Sequence, residues 1–310
     1  MSSPSSRTVA KNPPPLKPGM DNPWYDYSAL PKRPLLAWPG NARVAFCVVL
    51  ALEYYELLPD DGAVRDSRFT GEFGVYHPDY RTWTQREYGN RTAIFRVFDV
   101  LDRYQIRAGV AVNAMAAERY PFLIEQCKRR NYEFIAHGVS ANRLISSKMS
   151  EEQEKTEIAR SLQALERATG VSPRGWLGQE YGESQRTPGL LAEAGLHYVL
   201  DWPNDDQPYL MKVGRKFVSL PNQPEWDDVQ QLWLRRINTT RYPDLVGDAF
   251  ELLHKEGGQV FNLSLHPWLI GMAHRIKYLD EALRRIERFG NVWHATPGEI
   301  AQHYVETMLD

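Results

Sequence analysis

From Arg43 onward the chain alternates short apolar runs with amphipathic stretches, and this feature restricts its fold more than any other. Apolar runs over 43–52, 106–113, 132–136, 174–178, 197–202, 217–220, 259–265 and 291–294 read as strands. Helices are predicted between them over 92–104, 118–130, 150–169, 187–194, 242–255 and 275–288, with a last one opened by Thr296-Pro297-Gly298-Glu299. The helix over 150–169 carries its own signals, since Ser150 and Gln153 are spaced as a capping box and Gly170 follows as a stop. A strand that returns to its neighbour through a helix must run parallel to it. About seven such units suit a closed or nearly closed (β/α) barrel, so the expected class is α/β with a TIM-like barrel.

Residues 1–40 stand apart, with Pro13, Pro14 and Pro15 in succession and neither a helical nor a strand period, so 1–40 is expected as a proline-rich N-terminal arm. No Pro/Gly/Ser linker divides the remainder, and 41–310 is expected as a single catalytic-sized domain. The aromatic-rich stretch between Pro59 and Thr84 is too long for an ordinary connection and suggests a lid or a subunit contact.

Composition removes several classes. Thirty-seven basic against thirty-nine acidic residues leave a net charge of −2, which provides no cationic field for nucleic acid or an anionic membrane. No run approaches the roughly 20 apolar residues of a membrane span, and the N-terminal region lacks the pattern of a signal peptide, so a cytoplasmic protein is expected. Cys47 and Cys127 are too few for a disulfide framework or a cysteine-based zinc site. The Asn-x-Ser/Thr triplets at Asn90, Asn238 and Asn262 are chance matches in such a protein.

In a barrel of this kind functional groups project from the C-terminal ends of the strands. Those ends carry Glu53 and Glu56, then Asn113, His137, Trp176 with Gly178, Asp201 with Trp202, and His266. A carboxylate and two histidines at one rim suit hydrolysis, in which one unit takes a proton from water and a histidine returns one to a departing nitrogen. Glu53, His137 and His266 are the catalytic candidates, with backbone N–H groups of 175–178 or 265–267 as donors to the developing oxyanion. No His-x-x-x-His or His-x-His pair, phosphate-binding glycine loop or Gly-x-Ser-x-Gly elbow occurs.

These strand-end pieces, taken in order, resemble the polysaccharide deacetylase, or NodB-homology, superfamily over roughly 42–304. Within it they resemble the intracellular branch related to PuuE-type allantoinases and cyclic-imide hydrolases. The matching pieces are Arg86-Glu87-Tyr88-Gly89-Asn90-Arg91, His137-Gly138, Gly175-Trp176-Leu177-Gly178, Asp201-Trp202 with 204–209, and Leu265-His266-Pro267 with Gly271 and Arg275. The resemblance implies a distorted barrel of about seven strands that hydrolyses carbon–nitrogen amide bonds. Metal-dependent members hold a divalent ion with an aspartate on the first strand and two histidines four residues apart after the third. Here His137 stands at the first histidine, Ala141 at the second, and Glu53, Tyr55 and Glu56 around the acidic position.

The resemblance therefore implies the branch without a tightly bound metal. A weakly bound divalent ion such as zinc would fall to Glu53, Glu56 and His137. It also implies His266 acting on the leaving group, Glu53 as base or water-positioning residue, and Glu183 and Asp201 as pocket groups. Arg86, Glu87 and Arg91 read equally as substrate contacts or as a salt-bridge lattice. Trp176, Trp202, Trp226, Trp233 and Trp268 offer faces to a heterocycle or a sugar, although packing is the commoner use of such side chains. The expected partner is a small-molecule substrate, with neither nucleic acid nor membrane, and the chain is expected as a homo-oligomer. Two other readings stay open, a metal-dependent amino-sugar deacetylase and a catalytically silent barrel kept for binding.

Overall fold

A computed structural model describes residues 22–59 and 78–308. Its first strand, β1 (Val44–Leu52), is buried at every position, as a strand covered on both faces must be. Period 2 divides its side chains between two apolar layers. Val44, Phe46, Val48, Leu50 and Leu52 face the surrounding helices with Phe98 and Phe250, whereas Ala45, Cys47 and Val49 face inward with Ile135, Tyr198 and Val260.

The other strands are β2 (Gly109–Val112), β3 (Glu133–Ala136), β4 (Gly175–Trp176), β5 (Tyr198–Val199), β6 (Tyr209–Leu210), β7 (Val218–Ser219), β8 (Gln259–Leu265) and β9 (Val292–His294). They form one curled sheet in the order β6-β7-β5-β4-β3-β2-β1-β8, with β9 on the first half of β1. Every pairing is parallel except β6 with β7. Among the described residues no ladder joins β7 to β8. Asn222 closes that seam instead, its Oδ1 accepting from Asn262 Nδ2 at 3.0 Å and Ser264 Oγ at 2.8 Å while its Nδ2 donates to Leu200 O. The α/β class and distorted barrel expected from the sequence are thus present, with an antiparallel strand that the sequence pattern did not announce.

Element boundaries differ where local chemistry intervenes. The helix expected over 118–130 is two, Ala114–Arg119 and Pro121–Arg129, because Pro121 lacks the N–H that would continue the first and opens the second. An unexpected helix, Tyr80–Tyr88, runs through a π-helical turn, Gly89–Ala93, into Ile94–Arg103. A Cβ on Gly89 would stand 2.8 Å from Trp268, so glycine permits this close crossing. Of the expected arm, residues 22–40 lie on the barrel. Leu36 and Trp38 are buried, and Trp38 Nε1 donates to Gln259 O at 3.0 Å. Residues 1–21 and 60–77, and with them most of the expected lid, lie outside the described residues. Among the described residues no helix is long and apolar enough to cross a membrane.

The helix Glu151–Thr169 forms as its end signals require. Gln153 N–H donates to Ser150 Oγ, Ser150 N–H donates to Gln153 Oε1, and Gly170 ends the helix at φ 79°. Ser150→Ala is expected to lower stability by about 1 kcal/mol through loss of that cap, measured by urea unfolding at unchanged m-value.

Candidate active site

The same period-2 alternation that sorts the core continues past the strand ends and selects the site. On β1 the inward positions 45, 47 and 49 lead through Ala51 to Glu53; on β3 Ile135 leads to His137; on β8 Val260 leads through Asn262 and Ser264 to His266. All three candidates line one cavity of about 180 Å³, with Ala51 and Ser264 at its base and Glu180, Asp227 and Gln230 on its walls.

Glu53 is 9% exposed and held from three sides. Asn90 Nδ2 donates to its backbone carbonyl at 2.7 Å, Arg86 Nη1 lies 3.0 Å from Oε2, and His137 Nε2 lies 3.5 Å from Oε1. Burial alone would raise its pKa, but the neighbouring His137 and the charges of Arg86 and His266 bring it down to about 2. Glu53 is therefore a carboxylate throughout the working range. Arg86 projects from the helix Tyr80–Tyr88, with its guanidinium 4.0 Å over the Trp268 ring, behind Glu53 and outside the cavity wall.

The two histidines are set in opposite senses. His137 Nδ1 lies 2.5 Å from Leu177 O, and since a carbonyl only accepts, Nδ1 carries the hydrogen and Nε2 faces Glu53. His266 Nδ1 donates to Asp228 Oδ1 at 2.7 Å, and the His266 backbone N–H donates to Asp228 Oδ2 at 2.8 Å, so one buried aspartate fixes both ring and chain. Burial would lower the His266 pKa, but Asp228, Asp227 and Glu53 outweigh it and raise it to about 10. His266 is an imidazolium at neutral pH, with Nε2 as its remaining donor. Asp227, on the cavity wall, accepts the Val229 N–H at 2.6 Å, and burial lifts its pKa to about 7 against the pull of His266.

The remaining expected residues lie elsewhere. Glu56 accepts from Ser140 Oγ at 2.5 Å and Arg143 Nε at 2.7 Å, an ion pair outside the cavity wall. Trp176 is fully buried on the helix side of the sheet, as its parity on β4 requires. Trp202 Nε1 donates to Glu183 Oε2 at 3.0 Å, and its ring packs 5.8 Å from Trp24. Glu87 accepts from the Tyr120 hydroxyl. Trp226 stacks on Phe261, and Trp233 meets Trp268 edge to face. Glu183 and Asp201 lie behind the wall, not on it. The backbone N–H groups expected as oxyanion donors are already engaged: Leu177 N with Ala136 O, Gly178 N with Asp201 Oδ1, and His266 N with Asp228 Oδ2.

The three-ligand metal site of the resembled superfamily does not fit these residues. Position 141 is alanine, the Glu56 carboxylate is bound to Arg143, and the Glu53 carboxylate already faces the cation of Arg86. Among the described residues, ligand-type atoms gather within 4.8 Å at Asp227, Asp228 and His266. There the His266 ring nitrogen nearest the acids is engaged as a donor to Asp228.

Sequence reasoning missed Asp227, Asp228, Gln230, Glu180 and Tyr181, none of which ends a strand. Asp227-Asp228 directly precedes the short π-helical segment Val229–Leu234, an adjacent acid pair ahead of an apolar run that could have drawn notice. Glu180 and Tyr181 have φ of 52° and 57°, consecutive left-handed non-glycine residues on the cavity wall that no sequence pattern reveals.

Comparison with known proteins agrees with this architecture. The family model described as Polysaccharide deacetylase matches residues 77–199. A Schizosaccharomyces pombe protein named "Putative polysaccharide deacetylase" is 24% identical over 303 residues, covering 86% of this chain and 91% of its own. The crystal structure titled "probable Polysaccharide deacetylase from Pseudomonas aeruginosa PAO1" superposes with a TM-score of 0.79 at 26% identity, over 89% of this chain and 95% of that one. A PuuE allantoinase structure gives the same TM-score of 0.79 and the same coverage at 24% identity, a likeness of fold.

Proposed function

We propose that this chain, a member of the polysaccharide deacetylase superfamily of hydrolases, opens a carbon–nitrogen bond in a small cyclic amide, an allantoin-like ureide or a cyclic imide, without a tightly bound metal. The observation that carries this reading is the opposed setting of the two histidines on one cavity, His137 with Nε2 toward the Glu53 carboxylate and His266 as a cation held by Asp228.

With its hydrogen on Nδ1, His137 presents the Nε2 lone pair 3.5 Å from Glu53 Oε1, two acceptors whose arrangement calls for a molecule with two donors between them. A water bonded to both turns its own lone pair into the cavity. Its attack on the amide carbonyl passes a proton to His137 Nε2, and the Glu53 carboxylate stabilises the imidazolium that forms. When the tetrahedral intermediate collapses the carbon–nitrogen bond breaks, and His266 Nε2–H protonates the leaving nitrogen while Asp228 keeps the ring oriented. With the nearby backbone donors engaged, the Gln230 amide is a neutral donor on the wall for the substrate oxygen.

Size supports a small substrate. About 180 Å³ is less than the roughly 300–1,000 Å³ of sites that take drug-sized ligands, and suits one ring better than a sugar chain. The same reading makes the protein a cytoplasmic homo-oligomer acting on a free small molecule, with no nucleic acid or membrane partner.

The test is turnover of allantoin, succinimide and an N-acetylated amino sugar before and after dialysis against EDTA, with bound metal measured in parallel. Ring opening that persists at full rate after chelation is the expected result. Deacetylation of the sugar that is lost with a stoichiometric metal would replace this reading by the metal-dependent one. Absence of turnover with all three, alongside tight binding of one of them, would leave a silent binding barrel.

A further inference from the structure

Two buried acids have no task in the reaction above. Asp201 Oδ2 and Glu183 Oε1 are sealed from solvent with no N–H or neutral O–H donor reaching them, and the two carboxyl groups lie within hydrogen-bond reach of each other. Such a pair must hold a proton. Burial raises both pKa values, and the Asp201 charge adds to the rise at Glu183, which reaches about 10 against about 7 for Asp201. The shared proton therefore resides on Glu183, whose other oxygen accepts from Trp202, and above about pH 7 the negative charge resides on Asp201.

That charge is aimed at a single peptide group. Asp201 Oδ1 accepts the Gly178 N–H at 2.7 Å, and the carbonyl of the same peptide, Leu177 O, lies 2.5 Å from His137 Nδ1. In a trans peptide these two groups point in opposite directions, so the unit is held at both ends. Residue 178 must be glycine for this approach, because a Cβ there would stand 2.9 Å from both Asp201 Oδ2 and Gly182 O.

We propose that Asp201 is a positioning residue for His137, acting through the Leu177–Gly178 peptide, with Glu183 as the holder of the proton that leaves Asp201 charged. The inference rests on the assignment of His137 to the water-binding pair. An anion on the N–H side of a peptide polarises its carbonyl. Leu177 O thereby becomes a stronger acceptor, fixes the Nδ1–H tautomer of His137, and meets the positive charge that develops when Nε2 takes the proton from water. No proton moves through the peptide; its N–H stays in place.

The test pairs two conservative variants with a spectroscopic readout. In Glu183→Gln an amide N–H replaces the carboxyl O–H toward Asp201 and the remaining oxygen still accepts from Trp202, so kcat is expected to fall less than about threefold. In Asp201→Asn the oxygen still accepts from Gly178, but the charge moves to Glu183, and kcat is expected to fall about tenfold at unchanged KM. A merely structural role would make the two losses equal, and equal losses would overturn the proposal, as would an Asp201→Asn variant with full kcat. The ¹⁵N resonances of His137 decide independently of turnover. They are expected to report the Nδ1–H tautomer in the unaltered protein and a mixture in Asp201→Ala, with Asp201→Asn as the reference should the alanine variant fail to fold. An undisturbed tautomer in a folded Asp201→Ala overturns the relay even where ring opening is confirmed. A chain that opens no ring overturns the function and leaves the tautomer measurement to decide the relay.

Discussion

His266→Ala is expected to lower kcat by about 10³-fold or more, with an unchanged circular dichroism spectrum and a KM shifted far less. An amide nitrogen is a poor leaving group until it is protonated, and among the described residues on the cavity wall His266 is the cation with a ring N–H to give. Asp228→Asn gives the finer measurement. The carboxylate sits 2.7 Å from Nδ1 and is the largest of the influences holding the imidazolium together against burial. Without that charge the pKa of His266 must fall. The alkaline limb of kcat/KM, expected near pH 10 in the unaltered protein, is then expected to move toward neutrality. The sign for stability follows from the same shift. A histidine whose folded pKa is raised contributes fully below the unfolded value of about 6.5, and the contribution is lost as pH rises toward about 10. A His266→Ala variant that turned over substrate at the original rate would remove this residue from the reaction and with it the acid half of the mechanism.

The contrast between His266 and Asp228 shows what the sequence made legible. The strand–helix alternation was readable because each buried strand is an apolar run, and the rim residues followed from the run ends. Period 2 carries further information. Counted inward from Ala45, Ile135 and Val260, it selects Glu53, His137 and His266, and it turns Trp176 toward the helices and Asp201 behind the wall. The partners that set protonation states could not be read in this way. Asp228 reaches His266 from a segment that is neither strand nor regular α-helix, across 38 positions of sequence. Arg86 reaches Glu53 across 33 positions, from the helix Tyr80–Tyr88, whose π-helical continuation passes close to Trp268 at Gly89. Such pairings depend on tertiary distances, and a linear pattern holds none of these. The antiparallel strand β6 escaped for a related reason, since two ladder residues are too short a run to show a period.

Arg86→Met is expected to destabilise the fold by about 3–5 kcal/mol, a cost set by the buried carboxylate that it leaves behind. Methionine is long enough to keep contact with the Trp268 ring, so the lost interaction is chiefly the ion pair at 3.0 Å. Glu53 is 9% exposed, and the opposing influences on it are plain. Burial pushes its pKa up, while His137, Arg86 and His266 push it down to about 2. With a depressed folded pKa, the group contributes stability above its unfolded value of about 4.5 and loses it as pH falls toward about 2. Removing Arg86 withdraws one of the three opposing influences. Acid unfolding of Arg86→Met is therefore expected to begin at higher pH, and the acid limb of kcat/KM is expected to move up with it.

The double variant separates charge balance from catalysis. Glu53→Gln alone removes the anion that orients water and is expected to lower kcat by about 10²–10³-fold. Added to Arg86→Met, it removes the uncompensated charge, so the double variant is expected to be more stable than Arg86→Met and to remain as inactive as Glu53→Gln. Stability that failed to recover in the double variant would show that Arg86 acts through its packing on Trp268 rather than through Glu53. Turnover that persisted in Glu53→Gln would take the water-orienting role away from the first strand altogether.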